Sequence, residues 1–307
     1  MKHYSVMLKE AIEGLNIKED GVYVDATLGY AGHSKEILKR IKRGRLYAFD
    51  ADREAINYSH QKLSEISSNF KIIHSNFERL EEKLTEEGVE LVDGFLFDLG
   101  LSSPEIDDAK RGFSFMQDAE LDMRMDQTSS LTAKSIVNHY SEENLLKLFY
   151  NYAEEPRSRE IVKQIVHNRK NKEITKTLEL VELIKKGVGA NYFYKHHPER
   201  EIFQAIRIEV NGELKAIEIA LPVAIKRLKK GGRICVITFH SLEDRLVKEI
   251  FKKYSEVDEM VKGLPEIPVE YRPLIKLINR KPITPSQEEL QENSRSKSAK
   301  LRIIERI

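Results

Sequence analysis

Val22-Tyr-Val-Asp25 runs without a break into Ala26-Thr-Leu-Gly-Tyr-Ala-Gly-His33, and the reading of this stretch decides the fold. Its first four residues are apolar or aromatic up to a terminal acid, the pattern of a short buried strand. Gly29 and Gly32 follow, and without side chains they let the backbone turn tightly and approach a ligand closely. Apolar residues then recur at helical spacing over 34–42. Strand, glycine turn and helix together open a βαβ unit.

The same alternation continues outward. Residues 46–50, 70–74 and 91–99 read as strands, and 54–66 and 77–87 as helices, so the first third predicts a parallel sheet. From about residue 104 to 204 the pattern turns helical, clearest at 142–152, 158–167 and 177–187. The α/β pattern resumes with a long helix from about 209 to 229, a Gly231-Gly232 turn, a strand at 233–239 and a helix at 242–254. Two late apolar runs, 274–279 and 299–305, suit a closing antiparallel pair. The expectation is a doubly wound α/β domain, 1–104 and 205–307, interrupted by a helical insertion at 105–204.

Composition narrows the class. The chain has 307 residues, 40% of them hydrophobic, enough to bury a core. Charged residues make up 33% and nearly cancel to a net +1, which argues against a polycation that coats DNA or membrane. The single cysteine, Cys235, lies in an apolar run and reads as a buried structural thiol rather than a nucleophile. His196-His197 is an adjacent pair, a spacing that seldom lets both rings reach one ion, and no metal site is expected. The first residues, MKHYSVMLKEAIEGL, lack the apolar core of a signal peptide, and no apolar run approaches the ~20 residues of a membrane span. A cytoplasmic protein that does not enter the membrane is expected.

Ligands of an open parallel sheet bind at the carboxyl ends of its strands. Three of those ends carry an acid here: Asp25, Asp50 and Asp98. A dinucleotide would call for G-x-G-x-x-G, whereas Gly29 and Gly32 give only G-x-x-G. Asp25 would repel a pyrophosphate but attract the ammonium and sulfonium of S-adenosylmethionine. At 4 Å and an effective dielectric near 20, a unit pair is worth ~4 kcal/mol, enough to favour the second cofactor. Asp50 stands where an acid accepts hydrogen bonds from a ribose, which suits either. Any one of the three acids can instead be a helix N-cap.

Several stretches resemble the RsmH (MraW) family of 16S ribosomal RNA methyltransferases. They are Tyr23-Val-Asp-Ala-Thr-Leu-Gly-Tyr-Ala-Gly-His-Ser34, Asp98-Leu-Gly-Leu-Ser-Ser-Pro104, Arg111-Gly-Phe-Ser-Phe115 and Leu121-Asp-Met-Arg-Met-Asp126. Phe203-Gln-Ala-Ile-Arg-Ile208, Val210-Asn-Gly-Glu-Leu214, Phe239-His-Ser-Leu-Glu-Asp-Arg245 and Ser296-Lys-Ser-Ala-Lys-Leu-Arg302 follow in family order. The resemblance implies a class I (Rossmann-like) S-adenosylmethionine methyltransferase sheet with an inserted helical domain. It also implies methylation of the exocyclic N4 of a cytidine, position 1402 of 16S ribosomal RNA in the small ribosomal subunit. Carried onto this sequence, the cofactor contacts fall on Ala31, Gly32, His33, Asp50, Phe77, Asp98 and Glu105. Phe77 would cover the adenine face or else belong to the core, and His33 would meet the cofactor or else be a solvated surface histidine. The chain departs from the family at Ala31, where glycine is usual, at Glu105, where glutamine is usual, around Glu201, where the family's Ala-Thr-Arg-Thr run is absent and an acid replaces its arginine, and at Asn293-Ser294, which lacks the usual proline.

A cytosine amine is a poor nucleophile, and a proton acceptor beside it would localise its lone pair. Asp98 is the candidate acceptor or positioner, with Ser102 and Ser103 secondary, in the place of the Asp-Pro-Pro-Tyr motif of other amino-methyltransferases. His240 either touches substrate or is a satisfied structural histidine, with Ser241 as helix N-cap and Asp244 closing a capping box. For RNA, the signals are Asn191-Tyr-Phe-Tyr-Lys-His-His197 and the basic set Arg295, Lys297, Lys300 and Arg302, where aromatics stack on bases and cations meet phosphates, or else form ordinary core and solvated surface. Two other functions are weighed against this one: an NAD-linked oxidoreductase, and a non-catalytic ribosome-assembly or membrane-associated module. The oligomeric state stays open between monomer and homodimer.

Overall fold

The computed structural model describes residues 5–100 and 108–307. By compactness the chain forms two units, Met1–Gly100 with Leu214–Ile307, and Leu101–Glu213. The first carries a seven-stranded sheet in the order β3-β2-β1-β4-β5-β7-β6. Its strands are β1 (Val22–Asp25), β2 (Arg45–Asp50), β3 (Phe70–His74), β4 (Val92–Asp98), β5 (Leu228–Thr238), β6 (Ile275–Leu277) and β7 (Lys300–Arg306). The first five are parallel, and β7 runs antiparallel to both β5 and β6. All four strands of the first third and the late antiparallel pair therefore stand where the hydrophobic pattern puts them.

Residues buried on both faces explain β4, where Phe95, Leu96 and Phe97 are sealed from solvent. Helices α1 (Leu8–Leu15), α2 (Gly32–Arg40) and α3 (Arg53–Ser64) follow in turn along the first third. Met7, Leu15, Ile37, Leu38 and Leu63 pack with Tyr23, Leu96 and Cys235 into one core cluster. Cys235 is fully buried, and burial raises its thiol, as expected of a structural cysteine. Strand order reverses between β1 and β4, which places the ligand-binding crevice of such a sheet at their carboxyl ends.

Two local expectations change. The glycine pair Gly231-Gly232 lies within β5 rather than before it. Leu228 pairs with Val92 and Arg233 with Gly94, so five steps along β5 match two along β4, a bulge that Gly231 permits at φ +78. The long helix expected over 209–229 is two helices, Pro198–Asn211 and Glu213–Lys226. Gly212 separates them in the left-handed conformation, φ +61, the ordinary glycine stop of a helix.

The second unit is helical, and it runs to Glu213 rather than to the expected 204. The reason is packing: Ala205, Ile206 and Val210 continue the apolar face of Ile202 and Phe203 into the unit's core with Ile136, Leu145 and Ile161. Helix Glu142–Leu148 passes into a π-turn, Phe149–Ala153, where the pattern suggests one helix. Motif residues stitch this unit. The Arg111 guanidinium donates to the carbonyls of Arg124 and Met125, and Asn211 donates to the Met123 carbonyl while accepting from the Met125 N–H. Among the described residues no helix is long and apolar enough to cross a membrane.

Candidate active site

The loop after β1 is sewn to its neighbours on both sides. The N–H of Ala26 donates to the Leu96 carbonyl and that of Leu28 to the Phe49 carbonyl. Asp98 N–H donates to Thr27 Oγ1 at 2.7 Å, joining the loop to the end of β4. Gly29 sits at φ +48, with its N–H on Asp50 Oδ2 at 2.8 Å and its carbonyl accepting from Ser59 Oγ at 2.7 Å. Ala31, fully buried, holds φ +61, which explains why glycine suits this position. Gly32 starts α2, and a Cβ there would stand 1.6 Å from Ser5 Oγ, so the N-terminal segment packs against bare backbone.

The three strand-end acids have different work. Asp25 is 1% exposed, and its oxygens accept from Thr27 N–H at 3.1 Å and Ser34 Oγ at 2.7 Å. Burial pushes its carboxyl up to about 6, against the pull of those hydrogen bonds. It organises the loop from inside instead of presenting itself to a ligand. Asp50 accepts from Gly29 N–H and, at 2.8 Å, from Asp52 N–H, which fixes its carboxylate at the end of β2. Asp52, not Asp50, caps α3 by accepting from Glu54 N–H.

Asp98 is the outlier. Burial first, then the charges of Asp25, Glu243 and Glu289, hold its carboxyl well above the usual carboxylate range. Its Oδ1 is shut off from solvent and takes no hydrogen bond from any described residue, although the side chain as a whole is 24% exposed. His33 is buried at 4%, which removes the solvated alternative. Its Nε2 lies 3.1 Å from the Val6 carbonyl and its Nδ1 3.5 Å from Asp98 Oδ2. Glu289 accepts from Met7 N–H at 2.8 Å, clipping the segment that supplies Val6.

Phe77 is half-buried and meets Phe97 edge-on at 5.8 Å, so one edge belongs to the core and the rest stays available. Ser102, Ser103 and Glu105 lie outside the described residues. His240 caps the helix through one ring nitrogen, while its Nε2 is buried without a hydrogen-bond partner among the described residues, so capping alone does not satisfy the ring. Its Nδ1 accepts from Glu243 N–H at 3.4 Å, and Glu243 Oε2 accepts from Phe239 N–H at 2.8 Å and His240 N–H at 3.3 Å. The expected Ser241–Asp244 box is therefore shifted by one residue. Asp244 instead pairs with Arg302 at 2.7 Å and Lys300 at 3.1 Å, which takes two cations out of the expected basic patch. Of the 191–197 aromatics, Phe193 is core and Tyr194 is exposed beside Lys185. Tyr192 lies between Arg157 and His196.

Sequence reasoning missed Ser59, Glu289 and the Val6 carbonyl. Thr27 and Ser34 lay within the quoted motif, but nothing in the spacing marked Ser59 or Glu289.

A sheet of this order, with acids at the strand ends around a glycine loop at its switch point, defines a Rossmann-like methyltransferase. The chain belongs to the MraW methylase family, whose model matches residues 1–307, and S-adenosylmethionine is its cofactor. Among solved structures it is similar to an rRNA methylase from Streptococcus thermophilus, at 14% identity over 98% of this chain and 93% of that one, with a TM-score of 0.43. It is also similar to a Streptococcus mutans protein in complex with SAH, at 12% identity over 99% of each chain, with a TM-score of 0.45. Superpositions this loose transfer no substrate from either protein.

Proposed function

We propose that the chain methylates the exocyclic N4 of a cytidine in 16S ribosomal RNA, at position 1402, within the cytoplasmic small ribosomal subunit. The observation that carries the reading is Asp98 Oδ1: a buried acceptor without a hydrogen-bond donor among the described residues, at the carboxyl end of β4 beside the glycine loop. Such an atom is costly to bury unless a ligand satisfies it. An amine that must lose a proton is the ligand that fits.

The residues present fit the cofactor. Gly29, Ala31, Gly32 and His33 shape the cradle, Asp50, held by the Gly29 and Asp52 N–H groups, is the acid for the ribose hydroxyls, and the half-buried Phe77 stands for the adenine face. Glu105 is carried over from the resemblance alone. Asp25 contributes through its field rather than by contact, because it is 1% exposed and held by Thr27 and Ser34 within the loop. When bound, S-adenosylmethionine supplies a methyl group activated by positive sulfur. The chain's part is alignment, exclusion of water and an acceptor for the amine proton. The helical unit is the substrate-recognition part, where the exposed Tyr194 and nearby Lys185 offer a stacking surface and a cation.

The test is transfer of labelled methyl from S-adenosylmethionine to small subunits that lack the modification, followed by digestion and nucleoside mass analysis. N4-methylcytidine should form with the wild type and fall at least ~10²-fold with Asp98→Ala, the usual contribution of a positioned acid–base group. Cofactor binding without any labelled nucleoside would sink the RNA assignment.

A further inference from the structure

We propose that His33 and Asp98 share one proton at the end of β4, and that His33 is the positioning residue through which Asp98 accepts and passes on the proton of the attacking amine. The relay half of this inference rests on the amine-methylation reading above; the shared proton does not.

The geometry sets the tautomer. His33 Nε2 faces the Val6 carbonyl at 3.1 Å, and a carbonyl only accepts, so Nε2 carries its hydrogen. What the other nitrogen does then follows from its own partner. Nδ1 faces Asp98 Oδ2 at 3.5 Å, and two bare lone pairs would repel there. A proton therefore lies between them, as a carboxylic acid donating to imidazole or an imidazolium donating to carboxylate. Both forms are neutral overall, which a buried site tolerates far better than a lone charge. The 3.5 Å spacing is long for a hydrogen bond, as catalytic pairs often are before substrate tightens them.

The surroundings favour the neutral pair. Asp25 from β1, Glu243 from the helix Ser241–Ser255 and Glu289 from the helix Gln287–Glu292 all press negative charge on Asp98, while His33 faces it from α2. Glu10 on α1 acts in turn on Glu289. A second, unshared carboxylate charge would find no welcome among them.

The proton path balances. The amine nitrogen gains the methyl, and the electron pair of the broken carbon–sulfur bond stays on sulfur, which becomes neutral. The amine N–H pair stays on nitrogen, its proton goes to Asp98 Oδ1, and the shared proton settles on His33 Nδ1. One positive charge is present before, on sulfur, and one after, on the imidazolium.

The first test needs no reaction. Nitrogen-15 NMR of the histidine rings, assigned through His33→Gln, is followed with pH in the protein without cofactor, in the wild type and in Asp98→Asn. Expected is a His33 Nε2 protonated throughout, with an Nδ1 titration that moves by at least one pH unit when Asp98 is replaced. Identical titrations in the two proteins overturn the shared proton. The second test is single-turnover transfer at saturating cofactor: His33→Gln should slow the chemical step ~10²-fold and displace the acid limb of its pH profile. A loss confined to KM, with the profile unmoved, makes His33 merely structural and overturns the relay. Absence of transfer in the wild type, with the NMR coupling intact, overturns the amine reading and the relay while supporting the shared proton.

Discussion

Ala31 shows how much a single residue can bend without breaking the site. Its φ of +61 lies in the left-handed region, where a Cβ costs roughly 1–2 kcal/mol. Replacement by glycine removes that strain but also removes a buried methyl, worth about 0.8 kcal/mol, and adds up to about 1 kcal/mol of chain entropy. The terms nearly cancel, so Ala31→Gly should change stability by less than about 1 kcal/mol in chemical denaturation. Ala31→Val, β-branched in the same conformation, should cost at least ~2 kcal/mol and weaken cofactor binding in calorimetry. A harmless valine would mean that the loop does not hold this backbone. The same loop separates Asp25 from Asp98: both are raised by burial, yet Asp25 is satisfied by Thr27 and Ser34 while Asp98 Oδ1 has no such donor among the described residues.

At the scale of elements, the helix Ser241–Ser255 is held from its first turn. His240 and Glu243 cap it reciprocally, and Asp244 anchors it to β7 through Arg302 and Lys300. Loss of a cap side chain costs about 1 kcal/mol. His240→Ala should lower stability by that amount, and His240→Asn, a good cap, should restore most of it; equal losses in both variants would argue that the ring does more than cap. The sequence showed Ser, His and acid together here, and capping chemistry was legible in it. Which residue is the cap was not, because that depends on where β5 ends, and the bulge at the glycine pair sets that end.

For the whole molecule, the buried acids impose a pH dependence. The Asp25 carboxyl rises from 3.8 to about 6, so the folded state binds more protons than the unfolded state between those values. Stability from this group is therefore fully present below about pH 4 and is lost as pH rises through 6, by about 3 kcal/mol at 1.36 kcal/mol per unit. Asp25→Asn keeps an acceptor for Thr27 and removes the titration. The difference in unfolding free energy between wild type and variant should shift by about 3 kcal/mol between pH 4 and 7, against the wild type at the upper end. A difference flat with pH would place Asp25 in contact with solvent or with a cation.

From the sequence alone came the strand–helix order of the first third, the acids at the strand ends, the glycine loop and the family motifs. Each is a local pattern: alternation, helical spacing and missing side chains act between near neighbours in the chain. Only the tertiary structure decided that Asp25 is turned inward, that His33 is buried against Asp98, and that Glu289 reaches back 282 residues to hold Met7. Burial and partnership set a side chain's charge, and both arise from contacts between segments far apart in sequence. The identities of the groups at the site were thus written locally, while their protonation and roles were set by the packing of β1, β4 and the chain's distant ends.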